Sequence, residues 1–197
     1  MPVIGGLFHK VHLDMMVMPR SASYQYIVQA HCALTTHPEW QMLRSENAST
    51  LASFIFEDIL CHWGTPAEIV TDNGPAFIQA LNVLTDQYNI WHICIFPYNS
   101  QANSVVEWHH LDVQEAIIKS TLEGEFHWHT TAHSVFWAEH VTMLQSTGLS
   151  SSFMVHGVEP LFSFYLAEAT FLIHSPDTKP LSSSGLIAWR AHQLQKC

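Results

Sequence analysis

The first 43 residues consist mainly of short apolar runs separated by polar turn signals. Runs of this kind are typical of β-strands, and short connections between them favour an antiparallel meander. They predict strands at Val11–Met18, Tyr24–Leu34 and Glu39–Leu43, the first of them ending at Pro19-Arg20-Ser21.

After residue 43 the apolar positions change to a helical period. Five apolar residues fall on one helical face, namely Leu51, Phe54, Ile55, Ile59 and Trp63. Asn47 or Ser49 can cap the start of this helix, and Gly64 followed by Pro66 ends it.

Strands and helices then alternate. The pattern predicts a strand at Ala67–Thr71, a helix at Phe77–Tyr88, a strand at Ile90–Phe96, a polar loop at 97–104, and helices from about Val105 to Lys119 and at Trp128–Leu144. Serines at 150–152 and repeated prolines predict a less regular tail, with a short helix near Leu186–Leu194. The order predicts an α/β fold with a five-stranded mixed sheet flanked by helices, three strands antiparallel and then two parallel.

Composition narrows the class of protein. A chain of 197 residues with 48% hydrophobic residues suits one domain with a sizeable core, or one domain and a short appendage. No apolar run approaches the length of a membrane helix, and the first residues lack a signal-peptide pattern. Four scattered cysteines without a C-x-x-C pair predict reduced thiols in an intracellular protein.

The charge balance is strongly acidic. Seven lysines and arginines stand against seventeen aspartates and glutamates, which gives a net charge of −10 with histidine neutral. Only three residues are arginines, whereas fifteen are histidines and seven are tryptophans. On composition alone, nucleic acid is a poor prediction for a partner.

The segment TDNGPAF, residues 71–77, raises the first functional question. An aspartate before Asn-Gly often only caps the turn through a bond to nearby backbone. Alternatively, Asp72 is a ligand at the carboxyl end of a strand, where open α/β sheets keep their sites.

Two further acids could complete a ligand site with Asp72. Asp14 lies within an apolar strand, where a carboxylate is costly to bury unless it is paired or metal-bound. Glu107 opens a helix directly after the polar loop. If the first and fourth strands are neighbours, Asp14 and Asp72 lie side by side, and the helix can bring Glu107 across from them. Three clustered carboxylates require a cation, and their hard oxygens suit Mg²⁺ or Mn²⁺ in a two-ion site for phosphodiester chemistry.

The segments TDNGPAF, FPYNSQANSVVE and FHKVHLDMMVMP resemble the integrase catalytic core of retroviruses and LTR retrotransposons, with the gypsy-type elements of fungi the most similar group. The resemblance covers roughly residues 7–195. It implies a ribonuclease-H-like fold with a catalytic core at 7–148 and a C-terminal extension at 149–197. It also implies that Asp14, Asp72 and Glu107 are catalytic and bind two Mg²⁺ or Mn²⁺ ions.

The function implied by this resemblance is DNA 3′-end processing and strand transfer by a retroelement integrase. Its partners would be the element ends and target DNA, its location nuclear, and the chain a polyprotein fragment. Residues expected to contact substrate are Asn73, Gln101, Asn103 and Lys119. The surface, poor in charge, also predicts a homo-oligomer.

The chain departs from the family pattern at several positions. Ser104 stands where the family commonly has glycine, and Trp108-His109-His110 stand where it tends to be basic. The upstream His/Cys zinc module of integrases is expected to be absent. Loss of arginines removes phosphate contacts, which supply most of a nucleic-acid binder's affinity. The alternative function is therefore a decayed or repurposed core that acts by protein contact.

Histidines offer two further candidate sites. His127, His129 and His133 could form a zinc cluster, but only His129 and His133 share a helical face, and no fourth ligand is evident, so solvent-facing or hydrogen-bonded histidines are favoured. His12 either orients Asp14 or is simply a strand residue.

Overall fold

The computed structural model describes residues 5–95, 112–120 and 127–160, together with residues 184, 185, 187, 188 and 191. The chain divides into two compact units, Met1–His109 and His110–Cys197. The predicted boundary between a core at 7–148 and an extension at 149–197 does not coincide with this division and remains a prediction.

The first unit is built on a five-stranded sheet. Its strands are β1 (Lys10–Ser21), β2 (Tyr24–Cys32), β3 (Pro38–Leu43), β4 (Glu68–Thr71) and β5 (Trp91–Cys94), in the spatial order β3-β2-β1-β4-β5. The pairs β1–β2 and β2–β3 are antiparallel, whereas β1–β4 and β4–β5 are parallel. The predicted mixed sheet is confirmed.

Two helices connect the later strands. Helix α1 runs from Ala48 to Trp63 and contains a π-helical segment, Ile55–Leu60, between α-helical segments Ala48–Phe54 and Cys61–Trp63. The Asn47 side chain caps it by accepting a hydrogen bond from the Thr50 amide at 2.8 Å, as predicted. Helix α2 (Pro75–Tyr88) has Gly74 at its N-cap and Pro75 in its first turn.

The core of this unit lies between one face of the sheet and the two helices. Its members alternate along the strands and recur at helical spacing, which is how each element buries one side. The fully buried large side chains in this cluster are Phe8, Leu51, Phe54, Ile55, Ile59, Ile69, Phe77 and Leu81.

The first strand differs from the prediction, because β1 continues past Pro19 to Ser21. Its pairing with β2 shifts between Val17 and Ser21, so the proline lies in an irregular stretch. Proline lacks a backbone donor and is tolerated in a sheet at such interruptions. The predicted end of β5, Phe96, lies outside the described residues.

The second unit is helical in its described part. It contains α3 (residues 112–120), α4 (Trp128–Val141) and α5 (Ser151–His156). The α5 segment was predicted to be irregular, and this was wrong. Ser150 caps α5 by accepting a hydrogen bond from the Phe153 amide at 3.0 Å, and Gly157 ends it at a φ of 72°.

The predicted helix from about Val105 is described only from residue 112, and most of the predicted helix near Leu186–Leu194 lies outside the described residues. In the described part of the chain, no helix is long and apolar enough to cross a membrane.

Candidate active site

The parallel pairing of β1 with β4 brings the strand segments that lead to two of the predicted acids side by side. The pairs run Lys10 with Glu68, Val11 with Ile69 and His12 with Val70. Asp14 and Asp72 each lie two residues beyond the last pair, so a continuation of this register would set them opposite each other. Neighbouring strands are about 4.8 Å apart, a separation that two carboxylates sharing metal ions can span.

Asp14 is held within a continuous strand. It is half-buried, and its cross-strand partner on β2 is Gln29. One carboxylate oxygen, Oδ1, accepts a hydrogen bond from the Met15 amide at 2.7 Å. The pairing of β1 with β2 on both sides of Asp14 along the strand gives this carboxylate a fixed backbone.

Asp72 follows the last residue of β4 and is exposed. Its Oδ1 accepts a hydrogen bond from the Gly74 amide at 3.1 Å, so the aspartate does cap the turn. A Cβ at position 74 would lie 3.0 Å from Oδ1, and glycine therefore leaves space for the carboxylate. Helix α2 begins at the residue after Gly74.

A buried hydroxyl supports this turn. Thr71, only 2% exposed, donates from Oγ1 to the Asp72 carbonyl oxygen at 2.7 Å. The same Oγ1 lies 2.8 Å from Nε2 of His92 on β5. Burial lowers the pKa of His92.

The sheet face that carries Asp14 also carries polar side chains. His12 pairs with His31 across β1 and β2, and its Nδ1 is buried with no hydrogen-bond partner. Burial, with a smaller contribution from the charge of Lys10, lowers the pKa of His12. His31 Nε2 lies 2.9 Å from Oε1 of Gln29. Neither of these contacts joins His12 to Asp14, so the predicted orienting role of His12 stays open.

The two aspartates fit a divalent cation. Both supply hard carboxylate oxygens, the ligands preferred by Mg²⁺ and Mn²⁺. In the described part of the chain, Asp72 forms no ion pair with a lysine, arginine or histidine. Asn73, the predicted substrate contact, is exposed beside Asp72.

Three predicted site residues, Glu107, Gln101 and Asn103, lie outside the described residues. Lys119 is described and belongs to α3 of the second unit. Its ammonium lies 2.8 Å from Oε1 of Glu115 and 3.4 Å from Oγ of Ser184. Lys119 is thus already engaged within its own unit.

Two of the histidines at the start of α4 have their rings in contact. The rings of His127 and His129 meet edge to face, with centroids 5.8 Å apart. Among the described residues, no group of three or more histidines, cysteines, aspartates or glutamates is arranged to hold a metal ion.

A five-stranded sheet of order β3-β2-β1-β4-β5, antiparallel among β1, β2 and β3 and parallel among β1, β4 and β5, is the sheet of the ribonuclease-H-like class of fold. A cryo-EM structure of the simian T-cell lymphotropic virus intasome, in complex with PP2A regulatory subunit B56 gamma, contains a chain of the same fold. The TM-score is 0.63 at 19% identity, over 91% of this chain and 62% of that chain. The predicted fold class is confirmed.

Sequence relatives are retroviral polyproteins. The chain is 31% identical over 85 residues to the Gag-Pro-Pol polyprotein of mouse mammary tumor virus (strain BR6), covering 42% of this chain and 5% of the polyprotein. It is 32% identical over 108 residues to the Pol polyprotein of feline endogenous virus ECE1, covering 54% of this chain and 10% of that protein. The chain therefore spans a small part of these relatives. No protein-family model matches it.

These similarities confirm the predicted resemblance to retroviral and retroelement integrase cores. The narrower assignment to the gypsy-type group remains a prediction. What sequence reasoning missed is the pair Thr71 and His92. A polar residue within the apolar run IWHICIF was the available signal, but the sequence does not show that its ring contacts Thr71, which lies diagonally across from it on β4.

Proposed function

We propose that this chain is the catalytic core of a retroelement integrase, a polynucleotidyl transferase that uses Mg²⁺ or Mn²⁺ for 3′-end processing and strand transfer of DNA. The observation that supports the proposal is the β1–β4 register, whose last pair lies two residues before both Asp14 and Asp72. The similarity to retroviral Pol polyproteins supports the same function.

Asp14, Asp72 and Glu107 would hold the ions. Two bound ions would stabilise the attacking and leaving oxygens of a phosphodiester displacement. The role of the protein is to hold the carboxylates before substrate arrives. Asp14 is fixed by its strand, and Asp72 by the turn bond to Gly74 and by the start of α2.

The position of Asp72 also suits a large substrate. The carboxylate is exposed, and the chain turns away from it at Asn73-Gly74. Asn73 can then donate its side-chain amide to a phosphate oxygen. Element ends and target DNA are the proposed substrates, a homo-oligomer the proposed working form, and the nucleus the proposed location. The gypsy-type origin and the release of the chain from a longer polyprotein belong to the same proposal.

The test is cleavage of a labelled DNA duplex that carries the element's terminal sequence, in Mn²⁺ and in chelator. We expect metal-dependent nicking near the 3′ end by the unmodified chain, and none by Asp72→Asn or Glu107→Gln. Asp86→Asn is the matched control, because Asp86 is exposed on α2 and loses the same charge. Nicking by Asp72→Asn at the unmodified rate would contradict the proposal.

A second function, protein contact by a decayed core, is favoured by the exposed apolar side chains. Val17 is 62% exposed, Val83 65% and Trp91 70%. With a net charge of −10, such surfaces suit a protein partner better than DNA. A chain that binds Mn²⁺ at Asp72 but neither binds nor nicks DNA would support this alternative.

A further inference from the structure

The hydroxyl of Thr71 sits between two acceptor positions and has one proton to give. Oγ1 lies 2.7 Å from the Asp72 carbonyl oxygen and 2.8 Å from His92 Nε2. A hydroxyl donates once but accepts through two lone pairs. If Nε2 carries a hydrogen, the ring donates to Oγ1 and the hydroxyl donates to Asp72. If Nε2 carries no hydrogen, the single hydroxyl hydrogen can be donated to Nε2 or to the Asp72 carbonyl oxygen, but not to both.

The first arrangement lets the hydroxyl make both of these contacts at once. Thr71 is buried, and an unmade bond at a buried polar group is costly. The lowered pKa of His92, caused by burial, keeps the ring neutral with one N–H to place. The Cys94 sulfur lies 3.5 Å from Nε2 and 3.9 Å from Nδ1, and so packs against the same ring.

This arrangement links β5 to the peptide that carries Asp72. The Ile95 amide donates to the Thr71 carbonyl oxygen at 2.9 Å, so the end of β4 is held through both its backbone and its side chain. The Asp72 carboxylate is bound on its other side by the Gly74 amide. The chain of bonds thus runs from His92 through Thr71 to the residue that the proposed function makes a metal ligand.

We propose that His92, acting through Thr71, is a positioning residue that sets the orientation of Asp72 for the divalent cation. This inference rests on the proposed function only in naming Asp72 as a ligand. Neither His92 nor Thr71 touches the ion or the substrate. The role is that of an outer partner, whose loss typically weakens metal binding by about 10- to 100-fold.

The first experiment needs no metal. Nitrogen-15 chemical shifts of the His92 ring, measured on the whole chain, report which nitrogen carries the hydrogen. We expect the Nε2–H form in the unmodified chain and in Thr71→Ser, and a changed Nε2 signal in Thr71→Val. The Nδ1–H form in the unmodified chain would overturn the inference, since the Thr71 proton could then not be committed to Asp72.

The second experiment measures the Mn²⁺ dissociation constant. Thr71→Val and His92→Leu should each weaken binding by about 10-fold or more, and together no more than either alone, because they break one chain of bonds. His92→Gln, whose amide N–H replaces Nε2–H, and Thr71→Ser should restore most of the affinity.

A stability control separates positioning from general loosening of the fold. Trp63→Phe removes another partly buried side-chain bond, from Trp63 Nε1 to Glu39 Oε1 at 2.7 Å, which joins α1 to β3. It should lower stability without changing Mn²⁺ affinity. Equal weakening by Trp63→Phe would overturn the positioning role. If the unmodified chain binds no Mn²⁺, the proposed function fails, and the ring-nitrogen measurement alone then decides for or against the His92–Thr71–Asp72 linkage.

Discussion

At the scale of single residues, Asp72 shows that capping a turn and the proposed ligand role are compatible. Its Oδ1 accepts the hydrogen bond from the Gly74 amide, and the residue lies directly after β4, the strand that pairs with the one carrying Asp14. Both aspartates were predictable because each sits in an unusual local setting, within an apolar strand or before Asn-Gly. His92 was not, since its role depends on a hydroxyl 21 positions away.

In the second unit, the surroundings of Glu139 on α4 change its pKa. Burial, with a smaller contribution from the charge of Asp112, raises the pKa of Glu139 to about 8. In the described part of the chain, Glu139 Oε2 is buried without a hydrogen-bond partner. The folded state therefore keeps a proton that the unfolded state loses near pH 4.5. The contribution to stability is complete below pH 4.5 and is lost as pH rises toward 8, with a limiting slope of about 1.4 kcal/mol per pH unit.

Glu139→Gln should remove this loss, because the amide stays neutral. We expect the variant to be more stable than the unmodified chain at pH 8 and to show a flatter dependence between pH 5 and 8. Urea unfolding across that range measures it. Glu46→Gln, at an exposed glutamate, is the control and should leave the slope unchanged. An unchanged slope in Glu139→Gln would contradict the buried-acid account.

At the scale of elements, helix α1 shows what periodicity can and cannot predict. The apolar face from Leu51 to Trp63 was visible in the sequence, and so were its cap and its end at Gly64. The π-helical segment Ile55–Leu60 was not visible, because widening the helix by part of a turn leaves Ile55 and Ile59 buried as before. Helix α5 was missed because three successive serines lack an apolar period, although Ser150 is a good cap.

The Asn47 cap gives an element-scale prediction. Its side chain bonds both the amide and the hydroxyl of Thr50, each at 2.8 Å. Asn47→Ala should lower the free energy of unfolding by about 1 kcal/mol, whereas Asn47→Asp should keep most of it. Asn82→Ala makes the same change at an exposed position inside α2 and should be neutral or slightly stabilising. Denaturant unfolding distinguishes them, and equal loss in both alanine variants would rule out the cap.

At the scale of the whole molecule, the order of strands and helices was sufficient to predict the sheet topology. Two short antiparallel connections followed by two helical crossovers leave few alternatives. The division into units at residue 109 could not be predicted, because no linker composition marks it. The net charge of −10 is also a property of the whole molecule, and it opposes DNA binding.

The acidic balance predicts weak binding to DNA with a shallow dependence on salt. The logarithm of the binding constant falls by about 0.9 per phosphate contact for each tenfold rise in salt. Replacing Trp108 and His109 with arginine should steepen that slope by roughly one to two. A control with arginines at exposed Asn82 and Val83 gains the same number of arginines away from this segment and should steepen it less. A steep slope in the unmodified chain would contradict the loss of phosphate contacts.

The location of bound Mn²⁺ tests most directly whether Asp14 and Asp72 form a metal site. A paramagnetic ion broadens the NMR signals of nearby amides, so a titration of the chain reports where the ion sits. We expect the amide signals of residues 13–15 and 71–74 to broaden first. This broadening should be lost in Asp14→Asn and Asp72→Asn and kept in Asp86→Asn. Broadening that begins at His127 and His129, or that survives both substitutions, would contradict a metal site at Asp14 and Asp72.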